Sequence, residues 1–310
     1  MRVLVTGGCG FIGHHLVKRW TAARPADTLL VLDLLTYAGD ASRLPAHAGL
    51  VVGDVADPSA VRAAFDRLGG VDMLIHLAAE SHVDRSIIDP SRFVRTNVLG
   101  TQVLLDVARE CGVERFLHIS TDEVYGSIGL GAATEAAPFR PGSPYAASKA
   151  AGDLLVQAAH NTWQLPTVVA RPANTFGTGQ FPEKLLPVLA RAAVGRASLP
   201  LYGDGLHQRD WLAVEDLCDA LSLLADRAQA GSVWNIPGGG ARTNRSVAEA
   251  ICRVAGVSTT QIASVCDRPG HDRRYAMDGS ALRALGFEAK RSLDDALPAL
   301  LAEAQGSEST

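Results

Sequence analysis

Two short stretches carry side chains whose types and spacing could do acid–base chemistry. The first is Ser120-Thr121-Asp122-Glu123-Val124-Tyr125-Gly126 and the second is Tyr145-Ala146-Ala147-Ser148-Lys149. If Tyr145 opens a helix, Lys149 follows one turn later on the same face and sets an ammonium near a phenol. A free tyrosine ionises near a pH of about 10, so it is a poor base at neutral pH until a nearby positive charge favours the phenolate. Asp122 and Glu123 add adjacent carboxyls behind the Thr121 hydroxyl, just after an apolar strand over residues 115–120. Strand ends are where open α/β sheets place their ligands. The competing reading makes Asp122 and Glu123 ordinary loop acids and leaves Tyr145 and Lys149 on a helix surface. A bare Tyr-x-x-x-Lys cannot decide between the two, so the surrounding elements must.

Those elements begin with an apolar strand over residues 2–6. It runs into Thr6-Gly7-Gly8-Cys9-Gly10-Phe11-Ile12-Gly13, and helical character continues to Ala23. A strand, a glycine turn and a helix suit a dinucleotide, because glycines let the backbone approach a pyrophosphate resting on the helix N-terminus. The spacing here is Gly-x-x-Gly-x-x-Gly rather than the commoner Gly-x-Gly-x-x-Gly. A second strand over residues 28–32 ends at Asp33, about twenty residues beyond Gly13, where an acid is expected on the adenosine ribose 2′-hydroxyl. Such an acid repels a 2′-phosphate, so NAD is favoured over NADP. Its oxidised nicotinamide would be a second positive charge beside Tyr145. A third strand over residues 51–55 would bring Asp54 and Val55 to the adenine. A fourth, over residues 72–77, ends in Leu77, Ala78 and Ala79, two of them small enough for a cofactor to lie close.

Helices are expected over residues 58–67, with Asp57 as cap, and 98–110. With the strand before Thr121 they complete a βαβ series, which makes a parallel sheet with right-handed crossovers. Residues 167–171 read as a sixth strand and residues 232–236 as a return to the sheet edge. Between and beyond these come a turn-rich loop over 176–182, helices over 183–194, 214–225, 246–255 and 293–304, a short strand over 199–202, and a polar tail over 306–310. The expected fold is α/β, a Rossmann-type doubly wound parallel sheet with a smaller α/β substrate-binding domain. Residues 1–175 are expected to form the NAD-binding part, with 208–240 returning to it, and residues 176–207 and 241–310 the substrate-binding part.

Composition bounds the rest. The 310 residues are 47% hydrophobic and 20% charged, with 29 basic and 33 acidic side chains for a net charge of −4. That balance gives no electrostatic reason to expect a nucleic-acid partner. Cys9, Cys111, Cys218, Cys252 and Cys266 are odd in number and widely spaced, which fits reduced thiols and neither a disulfide framework nor a metal site. No apolar run approaches the roughly 20 residues that span a bilayer, and the chain opens on a strand rather than a secretion signal. A cytoplasmic protein with no membrane partner is expected.

At this point the residues resemble the extended short-chain dehydrogenase/reductases, in the branch of NAD-dependent nucleotide-sugar epimerases and dehydratases. Within it they sit nearest the dTDP-glucose 4,6-dehydratases. The motifs are those quoted above together with Asp33-Leu34-Leu35-Thr36-Tyr37-Ala38-Gly39, Ala78-Ala79-Glu80-Ser81-His82-Val83-Asp84-Arg85-Ser86, Phe181-Pro182-Glu183-Lys184-Leu185, Arg209-Asp210-Trp211, and the run from Asp267 to Tyr275. They occur in the family's order over residues 2 to 278.

The resemblance implies that Tyr145 takes the sugar O4 proton, Lys149 holds the nicotinamide ribose, and Thr121 hydrogen-bonds O4 or the Tyr145 oxygen. It implies Glu123 as the C5 base and protonated Asp122 as the acid that releases the C6 hydroxyl. It adds Leu34, Leu35, Thr36, Ser81, Thr96 and Thr175 to the cofactor site. For the nucleotide diphosphate it implies Ser81, Asn174, Lys184, Leu185, Pro200, Leu201, Tyr202, Arg209, Asn244, Asp267, Arg268 and His271. A homodimer is implied in the same way. The chain departs from the family at Thr175-Phe176-Gly177-Thr178-Gly179-Gln180, where an Asn-Tyr-Gly-Pro run is usual. Three readings follow: a nucleotide-hexose 4,6-dehydratase favouring dTDP-glucose; a C4-epimerase or 5,6-dehydratase sharing the 4-keto intermediate; and a non-catalytic NAD-binding module. Asp122 and Glu123 favour the first, since simple epimerisation needs no acid–base pair at C5 and C6.

Overall fold

The computed structural model describes residues 1–307, so residues 308–310 of the expected polar tail lie outside the described residues. In chain order the strands are β1 (Arg2–Thr6), β2 (Thr28–Asp33), β3 (Gly49–Val52), β4 (Met73–His76), β5 (Arg115–Ile119) and β6 (Thr167–Pro172). They continue with β7 (Asn174–Phe176), β8 (Leu199–Tyr202), β9 (Gln208–Ala213), β10 (Ser232–Ile236), β11 (Ala241–Thr243) and β12 (Ile262–Val265). Seven of them make one sheet in the order β10-β6-β5-β4-β1-β2-β3, parallel throughout. The chain reverses direction across this sheet between β1 and β4, the switch point where a doubly wound sheet opens a crevice at its strand ends.

Successive strand residues face opposite sides, and both sides are buried. Val3 and Val5 join one core with Leu16, Val17 and Trp20 of the helix Phe11–Ala23 and Leu217, Leu221 and Leu224 of the helix Val214–Arg227. Leu4, Leu30 and Leu32 join the other, with Val61 and Phe65 of the helix Pro58–Leu68 and Leu104 of the helix Thr101–Glu110. Strands buried on both faces read as unbroken apolar runs, which is why they were legible in the sequence.

A third core belongs to the smaller part. It packs Leu186 and Leu189 of the helix Leu185–Val194, Val247 and Ile251 of the helix Asn244–Ala255, and Leu297 and Leu301 of the helix Leu293–Ser307. Its strands form two small sheets, β11-β9-β7 and β12-β8. The last helix runs into the segment read as a polar tail, since Gly306 and Ser307 are helical. The helix expected over 98–110 is preceded by a π-helical stretch, Val94–Gly100, which follows the short helix Pro90–Phe93. The third strand is shorter than expected, so Asp54 and Val55 lie just past its end.

One buried ion pair joins the elements that carry the chemistry. Arg171 on β6 donates from Nε to Asp153 Oδ2 at 2.8 Å, and both side chains are almost wholly buried. Asp153 lies one turn beyond Lys149 on the helix Pro144–Trp163. The same guanidinium donates to the Tyr125 hydroxyl at 2.6 Å, which donates to Asn235 Oδ1 on β10 at 2.7 Å. Removing one partner of such a pair strands a buried charge and costs about 3–5 kcal/mol. Asp153→Asn is therefore expected to unfold at distinctly lower urea concentration, whereas Asp153→Leu with Arg171→Met recovers much of the loss. Unfolding of the single variant at the wild-type midpoint would show that the pair does not hold these elements.

Candidate active site

The acidic turn forms because Thr121 caps it. Its hydroxyl accepts from Glu123 N at 3.3 Å and opens a 3₁₀ turn, Asp122–Tyr125. Gly126 closes the turn at φ +67°, where a Cβ would stand 2.0 Å from the Arg140 carbonyl oxygen. No other residue fits there. The helix Pro144–Trp163 starts equally firmly, with Ser143 Oγ accepting from Ala146 N at 3.1 Å and Pro144 in its first turn. Both signals satisfy orphan N–H groups at a helix start. Tyr145 and Lys149 thus share one face of that helix beside the end of β5, and both are buried.

A cleft of about 320 Å³ runs along the ends of the main-sheet strands. Its lining brings together Gly7, Gly10, Phe11, Ile12, Gly13, Asp33, Leu34, Thr36, Asp54, Val55, Leu77, Ala78, Ala79, Ser81, Thr96 and Thr175. Thr121, Asp122, Glu123, Tyr145, Lys149, Asn174 and Lys184 line it as well. Leu35 is the one expected cofactor contact outside this lining, and its N–H donates to Asp33 Oδ1 at 2.8 Å. Gly7 has φ +71°, and a Cβ there would stand 2.6 Å from Ala78 N, so only glycine lets β1 and β4 approach at the switch point. A Cβ at Gly10 would meet nothing closer than the Gly7 carbonyl oxygen at 3.4 Å, which leaves open space over the helix N-terminus. That cradle fits a pyrophosphate. Asp33 is already held by Cys9 N at 2.9 Å and Leu35 N, yet each carboxylate oxygen keeps a lone pair for a ribose hydroxyl. The residues present fit NAD.

The remaining expected substrate contacts lie outside that lining, with Arg209 and Arg268 near enough for their charges to act on Glu123. Tyr202 Oη donates to Asp84 Oδ2 at 2.9 Å, Arg268 reaches Asp84 Oδ1 at 3.4 Å, and Tyr202 meets His271 edge-on. Arg209 lies over the Tyr275 ring and donates to Asp272 O at 2.9 Å, while Asn244 N donates to His207 O. Leu201 is fully buried in the third core, Leu185 packs on that core, and Pro200 pairs with Ala263 across β8 and β12. The side chain of Leu201 therefore serves packing. His207, Asp267 and His271 lie within reach of one metal ion. Their two imidazoles stack face to face at 3.7 Å, and Asp267 joins them, with Oδ1 hydrogen-bonded to His271 Nδ1 at 2.6 Å and Oδ2 lying 3.3 Å from His207 Nε2.

Burial and charge set the acids apart. Asp122 is pushed well above the usual carboxyl range, first by burial and then by the Glu123 charge. Its Oδ1 accepts from Thr121 Oγ1 at 3.2 Å, and its buried Oδ2 has no protein partner. Burial also raises Glu123, but Arg268, Arg209 and Lys184 all pull it back. Of the adjacent pair, Asp122 is the one to hold a proton.

Tyr145 is raised by burial and by the two carboxyls, with the Thr121 hydroxyl opposing as a hydrogen-bond partner. Lys149 is lowered by burial to about 8, and its Nζ donates to the Ile119 carbonyl at 2.6 Å rather than to the phenol. Tyr275 and Arg171 near the acids carry no role that the sequence reveals. Tyr275 Oη bridges Glu123 Oε2 at 3.3 Å and Asp272 Oδ2 at 3.0 Å, although Tyr275 ends a quoted motif. Arg171 offered no signal, because an arginine inside a strand says nothing of its buried partner.

The model of the NAD dependent epimerase/dehydratase family matches residues 3–237. The low-salt glycan biosynthesis protein Agl12 of Haloferax volcanii is 45% identical over 305 residues, covering 96% of this chain and 97% of that protein. A dTDP-glucose 4,6-dehydratase of Streptomyces antibioticus is 45% identical over 305 residues, covering 96% of this chain and 90% of that protein. The crystal structure of DesIV, the dTDP-glucose 4,6-dehydratase of Streptomyces venezuelae, solved with NAD and dTDP bound, superposes with a TM-score of 0.95 at 42% identity, covering 100% of this chain and 98% of that one. With the family model matched across the parallel sheet and relatives of this identity along the full length, the chain belongs to the NAD-dependent epimerase/dehydratase family.

Proposed function

We infer that the chain is an NAD-dependent nucleotide-hexose 4,6-dehydratase, with dTDP-glucose the favoured substrate. The observation that carries this reading is the asymmetric acid pair. A protonated Asp122 beside a Glu123 ringed by Arg268, Arg209 and Lys184 provides one acid and one base in adjacent positions. Removing water across C5 and C6 needs both, and exchanging the configuration at C4 needs neither. That need separates this reading from the epimerase one within the same family.

In this reading Tyr145 takes the O4 proton, and Thr121 lies between the phenol and Asp122 to orient both. Lys149, tied to the β5 carbonyl, holds its charge beside the cofactor ribose. NAD, when bound in the cleft, supplies a hydride acceptor for C4 and a hydride donor for C6. The keto group at C4 acidifies the C5 hydrogen, so Glu123 removes it while Asp122 gives its proton to the departing C6 hydroxyl. The unpartnered Oδ2 of Asp122 is the atom free to donate. Lys184, Arg209 and Arg268, with Ser81, Asn174, Tyr202, Asn244, Asp267 and His271, hold the nucleotide diphosphate. The domain division goes with most of these roles: residues 1–175 and 208–240 carry the cofactor and the remainder the nucleotide, except that β9 pairs with β11 and so sets Arg209 among the nucleotide contacts, and Ser81 and Asn174 reach them from the larger part.

Incubation with dTDP-, UDP- and GDP-hexoses and mass analysis of the products tests the reaction. Loss of one water, largest with dTDP-glucose, is expected, and a purely isomeric product would sink the dehydratase reading. A cytoplasmic homodimer belongs to the same reading. Ile88, Val94, Leu99 and Leu154 are large apolar side chains left exposed on helical segments that pack against one another, a feature suited to a second copy. Among the described residues no helix is long and apolar enough to cross a membrane. Light scattering should give the mass of a dimer, and Leu154→Glu with Leu99→Glu should halve it. A wild-type monomer at micromolar concentration would remove the dimer.

A further inference from the structure

Three segments far apart in sequence meet at the rim of the cofactor cleft. Tyr37, from the loop after β2, donates its hydroxyl to Glu183 Oε1 at 3.1 Å. Arg85, from the segment after β4, pairs with Glu183 Oε2 at 2.8 Å and lies over the Tyr37 ring at 3.7 Å. Phe181 meets the Tyr37 ring edge-on with centroids 5.0 Å apart, and Lys184 Nζ donates to the Ser81 carbonyl at 2.7 Å. Tyr37, Phe181, Glu183 and Lys184 all line the cleft. The other end of the same loop is tied down as well. Thr178 O contacts His15 Nε2 at 2.9 Å, Gly179 O accepts from Arg43 at 2.8 Å, and Gly179 N donates to Glu303 on the last helix at 2.7 Å. Residues 178–184 thus cross the cleft from the glycine-turn helix to the segment after β4, anchored on both sides.

We propose that residues 178–184 are a strap that closes over NAD, latched by the Tyr37–Glu183–Arg85 contact, and that opening this latch limits cofactor exchange. The proposal rests on the reading of the cleft as an NAD site. A cofactor reduced and reoxidised within one turnover has no need to leave, so a closed strap suits the chemistry, whereas an enzyme releasing NADH each cycle needs an open channel. The latch is charged and only partly exposed: Glu183 keeps 17% of its side chain accessible and Arg85 45%. Salt reaches the pair through the accessible Arg85 side and weakens it. Glu183 and Tyr37 act here as positioning residues, holding the strap without touching the reacting atoms.

The test is the rate at which purified protein loses NAD after rapid dilution into a trap that consumes free cofactor. Glu183→Gln keeps the shape and removes the charge, and Tyr37→Phe removes one hydroxyl from a half-exposed ring, so both should fold. Circular dichroism checks that they do. Each is expected to release NAD about 5- to 20-fold faster than the wild type, and adding salt should speed the wild type towards the Glu183→Gln rate. Wild-type release rates in both variants would overturn the strap. A wild-type protein that neither carries nor binds NAD would overturn the cofactor reading instead, which keeps the two failures apart.

Discussion

The buried Arg171–Asp153 pair is the constraint on which the arrangement of the active site depends. A guanidinium and a carboxylate with no access to water are tolerated only when their hydrogen bonds are satisfied and their partners fixed. Here the partners are the elements that bear the chemistry. Asp153 fixes the helix of Tyr145 and Lys149, Tyr125 fixes the acidic turn, and Asn235 ties both to the edge strand β10. Glu135 joins the same network, its backbone oxygen accepting from Arg171 and its side chain from Asn235 N. Phenol, ammonium and two carboxyls are thus held relative to one another by a single polar knot beneath the sheet's end, and their geometry does not rely on exposed loops.

On that frame electrostatics divides the labour. Burial alone would raise every acid in the cleft, and it raises Asp122, Glu123 and Tyr145 alike. The cations of the smaller part act unevenly: Glu123 has three of them in reach, while for Asp122 burial and the Glu123 charge outweigh Arg209. The smaller part therefore does two jobs with one set of charges. Lys184, Arg209 and Arg268 suit a diphosphate, and the same three keep one carboxyl of the pair available as a base. A bound diphosphate would share those charges, so nucleotide binding and acid–base poise are coupled through them.

How much of this was legible in the sequence follows from the range of the contacts involved. The main-sheet strands announced themselves as apolar runs, and the turn at Gly7 to Gly13 and the Tyr145–Lys149 spacing are local features readable one turn at a time. The short strands β7, β9, β11 and β12 are not legible in the sequence. Arg209 and Asp210 interrupt the apolar pattern of β9, and β11 has only three residues. The π-helical stretch at Val94–Gly100 was hidden too, because its composition differs little from that of an α-helix. The divergent loop at residues 175–180 gave no hint of its path. Its anchors, His15, Arg43 and Glu303, are more than a hundred residues away, and only the fold brings them together.

The division of roles between Tyr145 and the acid pair is the centre of the account, and hydrogen exchange at C5 tests it most directly. With Glu123→Gln, dTDP-glucose in deuterated solvent should still give absorbance of enzyme-bound NADH, because Tyr145, Thr121 and Lys149 are intact. Deuterium incorporation at C5 and water loss should both fall by about 10²- to 10⁴-fold, the usual loss for a positioned base. Wild-type rates of C5 exchange and dehydration in that variant would contradict the assignment of Glu123, and with it the reading of this site as a dehydratase's.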